Sequence, residues 1–164
     1  GGFFFTANDH ESLIQNPKPT ADESFPAGNS VAAKALIKLG FLMNNTKYID
    51  AAHSVFSYAS KQVNDSPNAH SSLIDAYLLT QTPYVTVILK GNIHNDEIKK
   101  WLDVLSNTKK TNMNYFHVTD NNTGYANIDD KITKRKISAF ICTDYTCEAP
   151  ITNFEKFVSR ISIL

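Results

Sequence analysis

The sequence has few cysteines, no long apolar run and no excess of charge of either sign. Two cysteines, Cys142 and Cys147, are too few for the disulfide framework of a small secreted domain, so we expect a reducing, cytoplasmic environment. No apolar run approaches the roughly 20 residues that span a bilayer as a helix. Basic and acidic residues number 16 each, so no net field favours nucleic acid or an anionic membrane as a partner.

The start of the chain has no signal for secretion. The chain has no initiator methionine, and residues 1–5 carry neither the basic flank nor the cleavage pattern of a signal peptide. We therefore expect an excised piece or a fragment of a longer protein. Its 164 residues, 42% of them apolar, suffice for one folded domain or two small ones.

The first half of the chain has the periodicity of helices. Apolar residues at helical spacing predict helices over 30–43, 47–63 and 68–79. Thr46 is the predicted N-cap of the second helix. In the third helix, Ala69, Leu73, Ala76 and Tyr77 are predicted to face inward. The short connections predict that the three helices are antiparallel neighbours.

The composition becomes typical of strands after Pro83. Strands are predicted over 84–89, 113–119 and 137–143, and helices over 95–105 and 154–161, the last capped by Asn153. The order strand, helix, strand predicts a parallel crossover. A polar loop, 120–136, precedes the third strand, and we interpret its basic run 131–136 as solvated. The predicted fold class is therefore α+β, with a helical part over 1–82 and a small three-stranded α/β layer over 83–164.

A polar, proline-containing loop leads into the first helix, which opens with Gly28, Asn29 and Ser30. Glycine permits close approach of another group to the backbone, and the Asn and Ser side chains can accept from free N–H groups of the first turn. Such a helix start can bind an anion or a polar substrate group. The alternative is that these residues only cap the helix.

Titratable residues in the same N-terminal segment suit acid–base chemistry. His10 and Glu11, together with Asp22, supply an imidazole and carboxylates that could act as general acid and base. The alternative is a solvated loop with a surface histidine.

Four residues lie between the two cysteines, whereas a redox dithiol or a zinc knuckle has two residues between its cysteines. Because no further cysteine is present and His117 is the only plausible imidazole nearby, we expect no metal site and no cofactor. We predict that Cys142 is a buried free thiol inside a strand. A local disulfide, or a redox-sensing pair formed by Cys142 and Cys147, is the alternative.

Two sets of motifs resemble a known family. The first set is GGFFFTA at residues 1–7, LI at 13–14, PK at 17–18 and PAGNSVA at 26–32; the second is AFIC at 139–142 and CEAPIT at 147–152. Both are similar to motifs of the YyaL-like proteins, whose animal members are the spermatogenesis-associated thioredoxin-domain-containing proteins. The family combines a thioredoxin-like domain, an α/α barrel of the six-hairpin glycosidase and N-acylglucosamine 2-epimerase type, and a small C-terminal region.

The resemblance implies that this chain is the C-terminal part of such a protein, with the last barrel hairpins over 1–82. It implies carbohydrate-binding or epimerase-like activity in the full-length parent, at the mouth of the barrel. The residues expected at this mouth are His10, Glu11, Lys18, Asp22, Gly28, Asn29 and Ser30. We expect the fragment itself to be inactive, because three helices cannot form a mouth built from many hairpins. Its expected partners are a sugar or small polar ligand, the missing domains, and a second copy through the cut barrel face.

The alternative function is a non-catalytic module that supports the thioredoxin-like domain. Two departures from the family pattern bear on ligand binding. Ala27 stands where the family usually has a serine, and Asn16 stands where it tends to have an arginine. The absence of that hydroxyl and guanidinium weakens any argument for a bound carboxylate or phosphate.

Overall fold

The computed structural model describes residues 1–7, 9, 14–92, 94, 96–119 and 137–164. The predicted site residues His10 and Glu11 and the loop 120–136 lie outside these ranges. The described residues divide into two compact units, which are taken separately below: a first unit of 1–40 with 45–82, and a second unit of 41–44 with 83–164. They contain five α-helices and a four-stranded mixed sheet, which confirms the α+β class.

Three α-helices lie in the first half of the chain. They are α1 (Gly28–Met43), α2 (Thr46–Asp65) and α3 (Ser71–Leu78), and a short 3-10 helix, Pro67–His70, directly precedes α3. Asn45, not Thr46, caps α2: its backbone is extended and its side chain accepts a hydrogen bond from the Lys47 N–H. The predicted cap is therefore wrong by one residue.

Small residues form much of the first unit's interior. Ala33, Ala52, Ala59 and Ala76 are fully buried, as are Ile37 and Val55. Gly40 lets Ile49 of α2 pack closely on α1, because a Cβ at this position would lie 2.5 Å from Ile49 Cδ1 and force that side chain to move.

The prediction that Tyr77 faces inward is wrong, since 43% of its surface is exposed. Tyr77 lies at the edge of the inward face of α3, where its ring packs edge-on against Phe56 with ring centroids 5.3 Å apart. Leu73 and Ala76 take the inward positions, as predicted.

The second unit is built on a mixed sheet. Its elements are β1 (Val85–Lys90), α4 (Asp96–Asn107), β2 (Met113–Val118), β3 (Ser138–Thr143), β4 (Thr146–Cys147) and α5 (Phe154–Ser162). The strand order is β2-β1-β3-β4. The predicted parallel pairing of β1 with β2 is confirmed, and β3 pairs antiparallel with β1. The short strand β4 adds a fourth strand to the three that the sequence predicts.

Two helices cover one side of this sheet. Trp101 of α4 stacks on Phe157 of α5 with ring centroids 4.5 Å apart. Both rings belong to a buried cluster that also contains Leu89 and Ile141 from the sheet. As predicted, Asn153 caps α5, since its side-chain oxygen accepts a 2.9 Å hydrogen bond from the Lys156 N–H. Aromatic stacking against aliphatic strand residues therefore forms the core of the second unit.

We predict that Phe157→Ala lowers the free energy of unfolding of the second unit by about 3–5 kcal/mol, because it removes a buried ring and leaves a cavity beside Trp101. The fluorescence of Trp101, the single tryptophan, follows this unit in a urea titration. Val158→Ala, next to it and exposed, is the control and is expected to change stability by no more than about 0.5 kcal/mol. Equal effects of the two substitutions would contradict the assigned core.

Candidate functional site

The side chain of Asn29 ties the N-terminal segment to the start of α1. Its Oδ1 accepts from the Phe3 N–H at 2.7 Å. Its Nδ2 donates to the Phe3 carbonyl at 3.0 Å and to the Pro19 carbonyl at 2.8 Å. Both amide hydrogens and the oxygen are therefore engaged inside the protein, and Asn29 is only 3% exposed. Ligand binding by Asn29 stays a prediction; in this structure its amide fixes the backbone at residues 3 and 19.

Lys18 holds the first residue in a similar way. Its Nζ donates to the Gly1 carbonyl at 2.8 Å and lies 4.3 Å from the centre of the Phe4 ring and 5.4 Å from that of Tyr58. An ammonium over an aromatic face is attracted by the ring quadrupole. The predicted ligand-binding lysine thus carries a cation–π contact with α2, where Tyr58 lies.

The two leading glycines fit tightly against α2. A Cβ on Gly1 would lie 2.0 Å from the Ser54 carbonyl oxygen, and Gly2 has a φ of +73° with Tyr58 beside it. A side chain at Gly1 would clash with the backbone of Ser54, and at Gly2 the positive φ itself disfavours any residue with a Cβ. Together with the Phe5 N–H donating to the Pro17 carbonyl at 2.8 Å, these contacts place the phenylalanine run on the surface of the first unit.

Asp22 bridges two helix starts. Its Oδ1 accepts from the Ala27 N–H at 2.9 Å, and its Oδ2 accepts from the Ser72 N–H at 2.8 Å and the Ser71 hydroxyl at 3.2 Å. Burial acts to raise the pKa of this carboxyl, but the hydrogen bonds from Ala27 and from the serines outweigh it, so the pKa lies below 3.8. A general acid needs a raised pKa near neutral pH. The catalytic role of Asp22 stays a prediction, and its observed bonds are those of a cap.

A buried histidine outside the predicted site adds another tether. Nδ1 of His70 lies 2.8 Å from the Ser66 carbonyl oxygen, which can only accept, so Nδ1 carries the proton. Nε2 then accepts from the Thr20 hydroxyl at 3.2 Å. The sequence places His70 at a helix start but gives no signal for this link to Thr20, fifty residues away.

Gly28 and Ser30 differ from the tethering residues. A Cβ at Gly28 would meet no atom within 4 Å, so space does not require a glycine there. Ser30 is 2% exposed, and its hydroxyl has no hydrogen-bond partner among the residues that the structure describes. Their ligand-binding roles stay predictions.

An aromatic groove lies above these tethers on the first unit. Its volume is about 660 Å³, and its lining residues are Phe3, Phe4, Phe5, Pro17, Pro19, Ala21, Glu23, Phe25, Pro26, Ala27, Gly28 and Asn29. The exposed fractions are 74% for Phe5, 70% for Phe25 and 52% for Phe4. The mouth that the sequence predicts as polar is therefore largely aromatic, and the sequence signal for it was the run of three phenylalanines.

The cysteines are bonded to each other, so the prediction of a free thiol at Cys142 is wrong. A disulfide joins Cys142 to Cys147 with their Cα atoms 3.9 Å apart. A two-residue turn between β3 and β4, with Asp144 at a φ of +51°, sets the two cysteines opposite each other in register. The separation of five residues is what such a turn requires, and it was the signal in the sequence.

Hydrogen bonds to Tyr84 hold this turn. The Tyr84 N–H donates to Asp144 Oδ1, and the Asp144 N–H donates to the Tyr84 carbonyl, each at 2.8 Å. The pairing of β1 with β3 is thereby extended by one residue, which fixes the turn that carries the disulfide.

The described residues form neither a cluster of metal ligands nor a membrane-spanning helix. Within the ranges given above for the structure, no group of three or more His, Cys, Asp or Glu side chains could hold a metal ion. No helix in the same ranges is both long enough and apolar enough to cross a membrane. Comparisons of the chain with protein-family models, with curated proteins and with solved structures return no match. The family resemblance therefore depends on the motif residues themselves.

We predict that Asp22→Asn destabilises the first unit by about 2 kcal/mol at neutral pH, because hydrogen bonds to a charged acceptor are lost. A carboxyl whose folded pKa lies below its unfolded value contributes stability above about pH 3.8, and the contribution is lost as the pH falls through the folded pKa. The difference between the two proteins should therefore shrink in acid.

The measurement is urea unfolding followed by the helical circular dichroism signal at several pH values. Asp50→Asn, on the exposed side of α2, is the matched control and should not change the pH dependence. A constant difference between wild type and Asp22→Asn down to strongly acidic pH would disprove the capping role.

Proposed function

We propose that the chain is the C-terminal part of a protein of the YyaL-like family, and that its aromatic groove binds carbohydrate at the mouth of the parent's barrel. Epimerase-like chemistry is assigned to the full-length parent, with His10, Glu11 and Asp22 as its candidate acid–base residues. The observation that carries the proposal is the groove of exposed phenylalanine rings, held in place by residues of the motifs.

The contacts among the motif residues support the family assignment. Three stretches of the first motif set meet in space, because Asn29 bonds Phe3 and Lys18 bonds Gly1. The second set also forms one element: Ala139 and Ile151 exchange a pair of backbone hydrogen bonds, and a disulfide closes the segment between them. The motifs of the first set thus meet at the start of α1, and those of the second set meet around the hairpin of β3 and β4. Such contacts are expected if the motifs of each set belong together.

The chemistry of the groove suits a sugar. A pyranose ring presents a face of C–H groups with partial positive charge, and an aromatic ring presents a face of negative charge density. The rings of Phe4, Phe5 and Phe25 offer such faces, and the Glu23 carboxylate on the lining can accept from hydroxyl groups. Ligand sites are commonly apolar and aromatic with a few polar groups, in volumes of about 300–1,000 Å³. An exposed aromatic cluster of this kind on a folded surface marks an interaction site.

Catalysis would need the parent's other hairpins, but every residue that lines the groove belongs to this chain, so binding can be tested here. The test is titration of the chain with monosaccharides and disaccharides, N-acylated hexosamines included, by calorimetry and by saturation-transfer NMR. We predict that at least one sugar binds and that Phe5→Ala and Phe25→Ala each weaken the binding about three- to tenfold, because a stacking contact is lost. Saturation transfer should reach the C–H protons of one face of the ring.

The matched control is Ile163→Ala, since Ile163 is 73% exposed and lies beyond α5 in the second unit. It should leave sugar binding unchanged. Absence of binding to every sugar, or equal binding by all variants, would contradict the proposal. Concentration-dependent dimers in sedimentation that Phe5→Ala and Phe25→Ala abolish, without sugar binding, would instead assign the groove to contacts between copies.

A further inference from the structure

The two sulfur-bearing residues of the disulfide differ in their access to solvent. Cys142, in β3, is 6% exposed and belongs to a small apolar cluster with Ile88 and Phe140. Cys147, in the two-residue strand β4, is exposed. An incoming thiolate can therefore approach Cys147 from solvent, whereas Cys142 is shielded by the sheet.

A buried hydroxyl lies beside the shielded sulfur. Thr86 of β1 is the register partner of Cys142 in the antiparallel pairing, so the two side chains are on the same face of the sheet. Thr86 is 3% exposed, and its Oγ1 has no hydrogen-bond partner among the described residues. Buried polar atoms without a partner are rare and call for an explanation.

Both features meet in one small cavity of about 20 Å³. Its lining includes Thr86, Cys142 and Cys147, with Phe41, Leu42 and Tyr145 as apolar or aromatic walls. The Asp144 carboxylate also lines it, with Oδ1 accepting from the Tyr84 N–H. The negative charge of Asp144 disfavours a thiolate in this cavity. The Thr86 hydroxyl can offset that effect, because it is a neutral group that can donate a hydrogen bond to a thiolate on Cys142.

We propose that Cys142–Cys147 is a thiol–disulfide exchange site, in which Cys147 is the sulfur attacked and Cys142 is the leaving group stabilised by Thr86. A thiolate of a small-molecule or protein thiol attacks Cys147 Sγ and forms a mixed disulfide. The S–S bond to Cys142 breaks, and its electron pair leaves on Cys142 Sγ as a thiolate that accepts a hydrogen bond from the Thr86 hydroxyl.

The second step completes the two-electron balance. A second thiolate attacks the external sulfur of the mixed disulfide, so Cys147 leaves as a thiolate and the external thiols become a disulfide. The two protons of the external thiols end on Cys142 and Cys147. The chain's disulfide is thereby reduced by two electrons and the external thiol pair is oxidised by two, and the reverse sequence restores the oxidised chain.

The first experiment locates the attack. The oxidised, folded chain is incubated with reduced glutathione, quenched with a thiol-alkylating reagent and analysed by fragmentation mass spectrometry. We expect glutathione on Cys147 and the alkyl group on Cys142. A parallel arm with a thioredoxin, its reductase and NADPH distinguishes a protein thiol from a small one as the preferred partner. Glutathione found mainly on Cys142, or a disulfide that neither reductant opens while circular dichroism shows a folded chain, would overturn the proposal.

The second experiment tests the role of Thr86 with an isosteric change. Thr86→Val should slow reduction by glutathione about tenfold, because a hydrogen bond to a charged sulfur is lost. In the Cys147→Ser background, where Cys142 is the single thiol, Thr86→Val should also raise the thiol pKa of Cys142 by about one pH unit, because the thiolate loses the same hydrogen bond. The thiolate absorbance measures this pKa directly.

Thr146→Val is the matched control, since Thr146 is exposed and adjacent to Cys147. It should leave both the rate and the Cys142 pKa unchanged. An unaltered Cys142 pKa in Thr86→Val would overturn the assignment, because the proposed hydrogen bond stabilises the thiolate and its loss must raise that pKa. A role of Thr86 in folding alone would lower stability and leave the pKa unchanged. None of these readouts involves a sugar, so they succeed or fail independently of the carbohydrate proposal.

Discussion

The surface of the first unit depends on the side-chain amide of Asn29. Its hydrogen bonds hold residues 3 and 19 against the start of α1, where the helix leaves N–H groups that need partners. Because the described residues before α1 form no helix or strand, these bonds and those of Lys18 and Asp22 replace regular structure. The backbone beneath the phenylalanine rings is thereby fixed, and the rings of Phe4 and Phe5 are exposed at the surface.

The regular elements could be predicted from the sequence, because each depends on a local pattern. The periodicity of α2 and α4, the apolar run of β1 and the cap at Asn153 all reflect interactions within a few residues. The errors occur where two adjacent residues could serve the same purpose, or where a side chain lies at the edge of a buried face. Asn45 displaces Thr46 as the cap of α2, and Tyr77 lies at the edge of the inward face of α3, where its ring contacts Phe56 and remains partly exposed.

The sites were harder to predict because they depend on distant partners. The sequence identified Lys18, Asp22 and Asn29, and the structure brings them into one set of tethers, yet their partners lie up to fifty residues away. Polar residues before a helix suggested a polar mouth; their polar atoms are bonded inward, so the surface above them is aromatic. The cysteine pair differs, because its partners are close in sequence: the spacing allowed a local disulfide, and the free thiol was predicted because the tight turn at Asp144 was not anticipated.

Hydrogen exchange at the amide of Phe3 tests this account most directly. The Phe3 N–H has Asn29 Oδ1 as its acceptor, so native-state exchange measured by NMR should be slowed about tenfold or more relative to an exposed amide. In Asn29→Ala the protection of Phe3 should disappear, while that of Ile88 in the central strand of the second unit should persist. A Phe3 amide that exchanges at the exposed rate in the wild-type chain, or equally slowly in both proteins, would contradict the central role of Asn29.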